Sequence, residues 1–350
     1  MRNIGVLNTA FLGDAVLTLP LLQSLRLRYP SAKIDFYVRG GLQSIFSPHP
    51  DISEVFEYDK RDGQKGIAGL LTLRRAIAAR RYDLWISAHT SIRSGLLALA
   101  SGAPVCIGYS KPRLNVLSYN RRVGRRFTEL DEIERLLELL RPLGAGPLSD
   151  WPELALGVEE QRAAGHFFAA LQGPVLGVHP GSVWPTKRWS ADAFAYVASA
   201  ALRAGAAVLL FGGPGEGDIV RQVKALIFAG QGDAAPFCLH GRLHDCSGSL
   251  TLPLLAAYIA RLSCYLTNDS GPMHIAWSRR VPVTAIFGPT VRDLGFFPRG
   301  AGSTVFEADV ECRPCGLHGP SVCPLGHHHC MTRVEPEAVW QDVRAKLFPQ

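Results

Sequence analysis

The chain reads as an α/β protein built from two Rossmann-like units, and three observations carry that reading. Short apolar runs alternate with helical periodicity over the first 88 residues, the pattern of a parallel sheet covered by helices. The alternation restarts near residue 174. Polar or glycine-rich segments follow several apolar runs, at the strand ends where open α/β sheets bind ligands.

In the first half, residues 4–10 form a buried strand, Phe11 to Asp14 a turn, and Ala15 to Tyr29 a helix stopped by Pro30. A strand is expected at 33–38, a helix at 68–80 and a strand at 83–88. A connecting helix, 158–171, leads to the second half. There the expected order is strand 174–178, helix 191–204, strand 206–211, helix 218–229 and helix 253–262. Strand 263–267, helix 271–279 and strand 282–287 follow. The expected domains are 1–165 and 172–334, with a last helix at 335–347 (within 335–350) packing back on the first domain.

A length of 350 residues suits two domains, each able to bury a core. With 47% hydrophobic and 19% charged residues, the composition is that of a globular protein. The apolar start is interrupted by Asn8, Gly13 and Asp14 and lacks a basic leader and a small-residue cleavage site, so no signal peptide is expected. No apolar stretch approaches a membrane-spanning length, and the expected location is the cytoplasm.

The net charge of +7 is unevenly placed: residues 1–150 hold 21 Lys/Arg against 14 Asp/Glu, while residues 151–350 hold 16 of each. Within the basic half, Lys111, Arg113, Arg121, Arg122, Arg125 and Arg126 occur with no acid between them. A solvated face is one reading. An anionic substrate or an anionic membrane surface is the other, and nucleic acid ranks last because no nucleic-acid-binding motif accompanies the run.

The segments that carry chemistry lie at strand ends. Asp14 fits a helix N-cap, which spacing alone favours, or a general base. His179 to Trp189 leads from strand to helix; Gly181 and Ser182 could donate to a phosphate and Lys187 could neutralise it, while Trp184 and Trp189 read as packing residues. The loop Gly212 to Asp218, containing Glu216, permits close backbone approach, yet matches neither the dinucleotide fingerprint nor the P-loop, which disfavours a dehydrogenase or an NTPase. Asn268-Asp269-Ser270-Gly271-Pro272-Met273-His274 reads as a strand end, a tight turn and an anion-favouring helix N-terminus, with an ordinary capped helix start as the alternative.

Taken in order, these segments, with Ser249-Leu250-Thr251-Leu252-Pro253 and Phe287-Gly288-Pro289-Thr290, resemble glycosyltransferase family 9, the ADP-heptose:lipopolysaccharide heptosyltransferases, and type II more than type I. The resemblance covers nearly the whole chain. It implies a GT-B fold, with the acceptor on the first domain and the ADP-sugar on the second, and an inverting displacement requiring no catalytic metal. By the same resemblance Asp14 matches the catalytic base, which reverses the preference for a cap. Ser182 and Lys187 match the diphosphate loop, with Gly181-Ser182 standing where the family has a Thr pair. Asp269, Ser270, Gly271 and His274 match the motif contacting the donor, and Glu216 lies near a family acid at the nucleoside. Arg121, Arg122, Arg125 and Arg126 then have a purpose in binding an anionic lipopolysaccharide core, at the inner-membrane surface peripherally. Rival readings are another sugar or a protein acceptor, a sugar-nucleotide epimerase, and a non-catalytic nucleotide-sugar-binding module.

Eight cysteines are present, four of them grouped as Cys312, Cys315, Cys323 and Cys330. Four thiolates with a C-x-x-C start suit a structural zinc or iron site, with His327 to His329 as substitute ligands; free thiols of a compact loop are the alternative. The resemblance leaves this open, since related autotransporter heptosyltransferases carry a four-cysteine iron site. Cys106, Cys238, Cys246 and Cys264 read as core residues.

Overall fold

A computed structural model describes residues 1–58, 66–144, 146–230 and 241–349, with side chains described from residue 73 onward in the helix that begins at Gly66. It divides into two units, Met1–Ala155 and Leu156–Gln350. Among the described residues no helix is long and apolar enough to cross a membrane.

The first unit holds strands β1 (Asn3–Asn8), β2 (Lys33–Arg39), β3 (Glu54–Tyr58), β4 (Leu84–Ser87), β5 (Val105–Tyr109) and β6 (Arg121–Val123). They form one sheet in the order β3-β2-β1-β4-β5-β6, and every pairing is parallel. The central strands are apolar because helices cover both faces: Ile4, Val6, Phe36, Val38 and Leu84 to Ile86 are buried. The strand order reverses between β1 and β4, so the chain leaving β1 passes the switch point of the sheet. Asp14 stands there.

The local structure corrects the reading of Asp14 as a cap. Phe11 is the N-cap of the helix Leu12–Leu17, and Asp14 lies in the first turn, its Oδ2 accepting the Phe11 N–H at 3.2 Å. The expected helix 15–29 is two helices, Leu12–Leu17 and Leu19–Arg28, broken at Thr18 with Pro20 starting the second. The basic run is exposed at Lys111, Arg113, Arg121, Arg122 and Arg126, as a solvated face is, and Arg121 and Arg122 lie on the edge strand β6, where exposed cations discourage edge-to-edge pairing.

The second unit repeats the design with β7 (Val175–His179), β8 (Ala207–Leu210), β9 (Leu243–Asp245), β10 (Cys264–Asn268), β11 (Val283–Phe287) and β12 (Thr304–Glu307). The order is β12-β11-β10-β7-β8-β9, again all parallel, with the switch point between β7 and β10. The connecting helix, Val158–Ala169, belongs to this unit, where Phe167 and Phe168 pack on Tyr258. The C-terminal helix, Pro336–Leu347, does likewise, against the expectation that it packs on the first domain. Its Val339, Trp340, Val343 and Leu347 enter the core formed by the helix Ala191–Arg203, while Asp342 accepts from Thr284 and Thr304 at the sheet edge. Burial of that stripe determines its position. Cys106, Cys246 and Cys264 are buried core residues as expected, and Cys238 lies outside the described residues.

One buried ion network supports the first unit. Glu132 accepts from Arg125 at 2.8 Å and from Arg135 at 2.8 Å, and Arg135 is fully enclosed. Replacing Glu132 with Ala should cost about 3–5 kcal/mol in urea unfolding, because it strips the carboxylate from a buried guanidinium. Arg126→Ala breaks only the exposed pair with Glu129 and should leave the urea midpoint unchanged.

Candidate active site

The carboxyl ends of β7, β10 and β11 bring the second unit's polar segments together. β7 ends at His179, and the loop beyond it makes a short 3₁₀ turn, Pro185–Lys187, before Ser190 caps the helix Ala191–Arg203 by accepting the Ala193 N–H. β10 ends at Asn268, which is fully buried and fastens that loop in three places. Its Oδ1 accepts the Trp189 N–H at 2.9 Å, and its Nδ2 donates to the carbonyls of Pro180 at 2.9 Å and Gly181 at 3.2 Å. A buried loop backbone needs such partners, and one amide side chain supplies them.

Asp269 fastens the loop electrostatically. Its Oδ2 accepts from Lys187 Nζ at 2.5 Å and from Thr290 Oγ1 at 2.7 Å, and Ser182 Oγ donates to its carbonyl at 3.4 Å. Lys187 and Asp269 are both buried, so the ammonium expected to meet a phosphate is held in place by a carboxylate. Their neighbour His274 is neutral: burial drives its pKa down to about 4, with Asp269 raising it and Lys187 lowering it. Its Nδ1 accepts from Trp277 Nε1 at 3.2 Å, which puts the ring proton on Nε2.

A second pair lies beside the first. His179 Nε2 and Glu216 Oε2 are 2.9 Å apart, and Glu216 also accepts the Gly213 N–H at 2.7 Å. Burial pushes the Glu216 carboxyl up, but the hydrogen bonds from His179 and Gly213 win and hold it below its ordinary value. On the other side of the ring, His179 Nδ1 lies 3.4 Å from Ser270 Oγ. A Cβ on Gly181 would stand 2.2 Å from the Glu216 carboxyl carbon, so a larger residue there would have to displace the carboxylate from His179 and Gly213. Gly271 opens the helix Gly271–Ser278 behind Ser270.

All eight donor-site residues expected from the sequence, Gly181, Ser182, Lys187, Glu216, Asp269, Ser270, Gly271 and His274, therefore lie around the switch point of one sheet. His179, Asn268 and Thr290 lie in segments singled out from the sequence but were given no role of their own there. Each stands at or just after a strand end, and that position was the available signal.

In the first unit, Asp14 is half-buried, and its carboxyl is raised to about 6. Desolvation is the main cause and Glu132 adds to it, while the Phe11 N–H and Arg125 pull the other way. Asn8 steadies the turn, its Nδ2 donating to the Asp14 carbonyl at 3.1 Å and to Thr18 Oγ1 at 2.8 Å. The four arginines divide. Arg125 lies over Phe127, 4.5 Å from the ring centre, and pairs with Glu132; Arg126 pairs with Glu129. Arg121 donates to the Pro142 carbonyl at 2.6 Å, and both Arg121 and Arg122 are exposed. The acid-free stretch of sequence thus receives acids from the turn and the helix that follow it.

The cysteine segment braces the donor loops. Arg313 donates to the carbonyls of Gly288 and, at 2.6 Å, Thr290, while the Cys315 N–H meets the Pro289 carbonyl at 2.8 Å. His328 Nε2 reaches the Thr186 carbonyl at 2.7 Å, next to Lys187. Backbone N–H groups, that of His328 foremost, hold the Cys323 thiol below its ordinary value. Burial, with the other three thiols nearby, raises that of Cys330. All four cysteines are free, and among the described residues no three His, Cys, Asp or Glu side chains converge as metal ligands.

Comparison with known proteins agrees with the fold. The model of glycosyltransferase family 9 (heptosyltransferase) matches residues 70–319. Lipopolysaccharide heptosyltransferase 2 of Escherichia coli K12 is 24% identical over 359 aligned positions, covering 99% of each chain. The crystal structure of a glycosyl transferase family 9 protein from Veillonella parvula superposes with a TM-score of 0.86 at 26% identity, covering 99% of this chain and 97% of that one. Escherichia coli heptosyltransferase WaaC with ADP-2-deoxy-2-fluoro heptose shares the fold, with a TM-score of 0.72 at 20% identity, covering 98% and 99%. The chain belongs to glycosyltransferase family 9, the heptosyltransferases.

Proposed function

We propose that this enzyme transfers heptose from ADP-heptose to the lipopolysaccharide inner core, inverting the anomeric carbon. The observation that carries the reading is the Lys187–Asp269–Thr290 set at the second unit's switch point, in a chain of this family. Lys187, Ser182 and the N-terminus of the helix Gly271–Ser278 take the diphosphate, and Glu216 takes the nucleoside. His274 offers a neutral Nε2–H that cannot compete with Lys187 for charge. These groups stabilise the negative charge that develops on the leaving diphosphate, so a catalytic metal is not needed. Asp14 removes the proton from the acceptor hydroxyl as the oxocarbenium-like centre is attacked. Arg121 and Arg122 meet the anionic core, with Arg125 and Arg126 behind them, and the enzyme works peripherally at the inner-membrane surface. The cysteine segment carries four thiols with a C-x-x-C start, the chemistry of a structural zinc or iron site; no three of them converge as ligands in this arrangement, so holding an ion would require Cys312, Cys315, Cys323 and Cys330 to move together. Metal analysis of purified protein with and without Cys312→Ser tests for such an ion; an equal and negligible metal content in both would contradict it.

Asp14→Asn should lower transfer by at least about 10³-fold with ADP affinity unchanged. Because Asp14 works as its carboxylate and titrates at about 6, wild-type transfer should rise with pH through that value. The same shift has a stability consequence. The folded carboxyl holds its proton more tightly than the unfolded one, whose ordinary value is 3.8, so stability falls as pH rises from that value to about 6. Asp14→Asn should therefore melt higher than wild type at pH 7 and together with it below pH 4; equal melting at both would refute the shift.

Lys187→Met should weaken ADP binding by about tenfold or more and destabilise the fold, by leaving the Asp269 carboxylate buried without its ammonium. Adding Asp269→Asn should restore stability but not ADP affinity, which calorimetry and thermal melts separate. The double change Arg121→Ser with Arg122→Ser should raise the acceptor KM and spare ADP affinity. An unchanged KM removes the acceptor role from the edge strand.

A further inference from the structure

The helix Ile92–Ser101 and the 3₁₀ turn Arg113–Leu117 both belong to the first unit and turn an apolar face outward. On the helix, Ile92, Leu96 and Leu99 recur at helical spacing and are 66%, 44% and 54% exposed. On the turn, Leu114, Val116 and Leu117 are 60%, 57% and 71% exposed. The two elements pack closely: a Cβ on Gly95 would stand 2.6 Å from Ser118 Oγ. Asn115 locks the turn from beneath, donating to the carbonyls of Tyr109 at 2.8 Å and Lys111 at 2.9 Å. The exposed leucines are therefore held outward by structure.

Charge indicates what this face meets. Residues 84–128 contain seven Lys/Arg and no Asp or Glu, and Arg93, Lys111, Arg113, Arg121 and Arg122 are all exposed. Apolar side chains among exposed cations match a bilayer interface carrying anionic lipid, where the leucines enter the acyl boundary and the cations stay among headgroups. A symmetric contact with a second copy fits poorly, because it would set the same cations against one another in a low-dielectric interface.

We infer that this face, Ile92, Leu96 and Leu99 with Leu114, Val116 and Leu117, docks the enzyme on an anionic phospholipid membrane. The inference rests on the reading above that the enzyme works peripherally at the inner-membrane surface. It adds which surface lies against the membrane.

The test is flotation of the full chain with vesicles of phosphatidylcholine alone and with about a third phosphatidylglycerol, at low and high salt. Wild type should float with the anionic vesicles, and salt should weaken but not abolish this. Leu114→Gln with Leu117→Gln should reduce the bound fraction at least about tenfold, while leaving transfer to a water-soluble truncated core acceptor unchanged. Arg113→Gln should reduce binding less and remove part of its salt dependence. Equal flotation of wild type and the double leucine variant would overturn the inference, as would binding indifferent to lipid charge. A wild-type dimer in sedimentation that the leucine variant dissolves would overturn it in favour of self-association. Loss of transfer to the soluble acceptor in wild type, with vesicle binding intact, would refute the proposed function and leave this surface standing.

Discussion

Two adjacent side chains at the end of β10, Asn268 and Asp269, hold the donor half of the site together. A parallel sheet leaves the loops at its carboxyl edge without a ladder to fix them, and three such loops must keep a common geometry here. Asn268 secures the loop after β7 through its backbone, and Asp269 secures the same loop through Lys187 and the turn after β11 through Thr290. Burying the ion pair costs desolvation that its mutual attraction barely offsets, so its value lies in specifying position more than in stability. A diphosphate bound as proposed above would meet an ammonium that is already oriented and needs no reorganisation during the reaction.

The first unit solves a different problem with similar means. The general-base role proposed above for Asp14 needs a carboxyl free of strong partners that is still ionised at neutral pH. Asp14 is shielded enough to be basic, and the buried Glu132 raises it further. The opposing pull of Arg125 is weakened because that guanidinium pairs directly with Glu132. The Glu132–Arg135 pair fixes Glu132 in turn, so a structural network also sets the electrostatics at the reactive carboxyl. The cysteine segment is comparable in the second unit, touching the donor loops at Thr186 and Thr290 without supplying a donor-site residue.

Much of this was legible in the sequence, and the gaps have physical causes. Buried parallel strands and amphipathic helices repeat strongly, so the two-unit fold could be read directly, while the donor role of the loops came from the family resemblance. Short elements could not: β6 and β9 have three residues each, too few to show a period, and β6 is written almost entirely in arginine. The C-terminal helix was visible as a helix, but its partner was not, since an apolar stripe does not name the core it enters. Asp14 read as a cap because spacing cannot distinguish the residue before a helix from one in its first turn. Asn268 and Thr290 were given no role of their own because theirs consist of hydrogen bonds to segments far away in sequence. The pairing of Arg125 and Arg126 with Glu132 and Glu129 was hidden for the opposite reason, a short-range turn that an acid-free run gives no hint of.

The central claim is that a rigid, charge-matched donor site and a raised carboxyl together perform one inverting displacement. Its most direct test is to incubate the enzyme with ADP-heptose and a heptose-free core oligosaccharide, then read the product's anomeric configuration by NMR alongside ADP release. The account predicts ADP and heptosylated core in equal amounts, with the new linkage of opposite configuration to the donor's. A retained configuration, or ADP appearing with free heptose in place of a linked product, would contradict it.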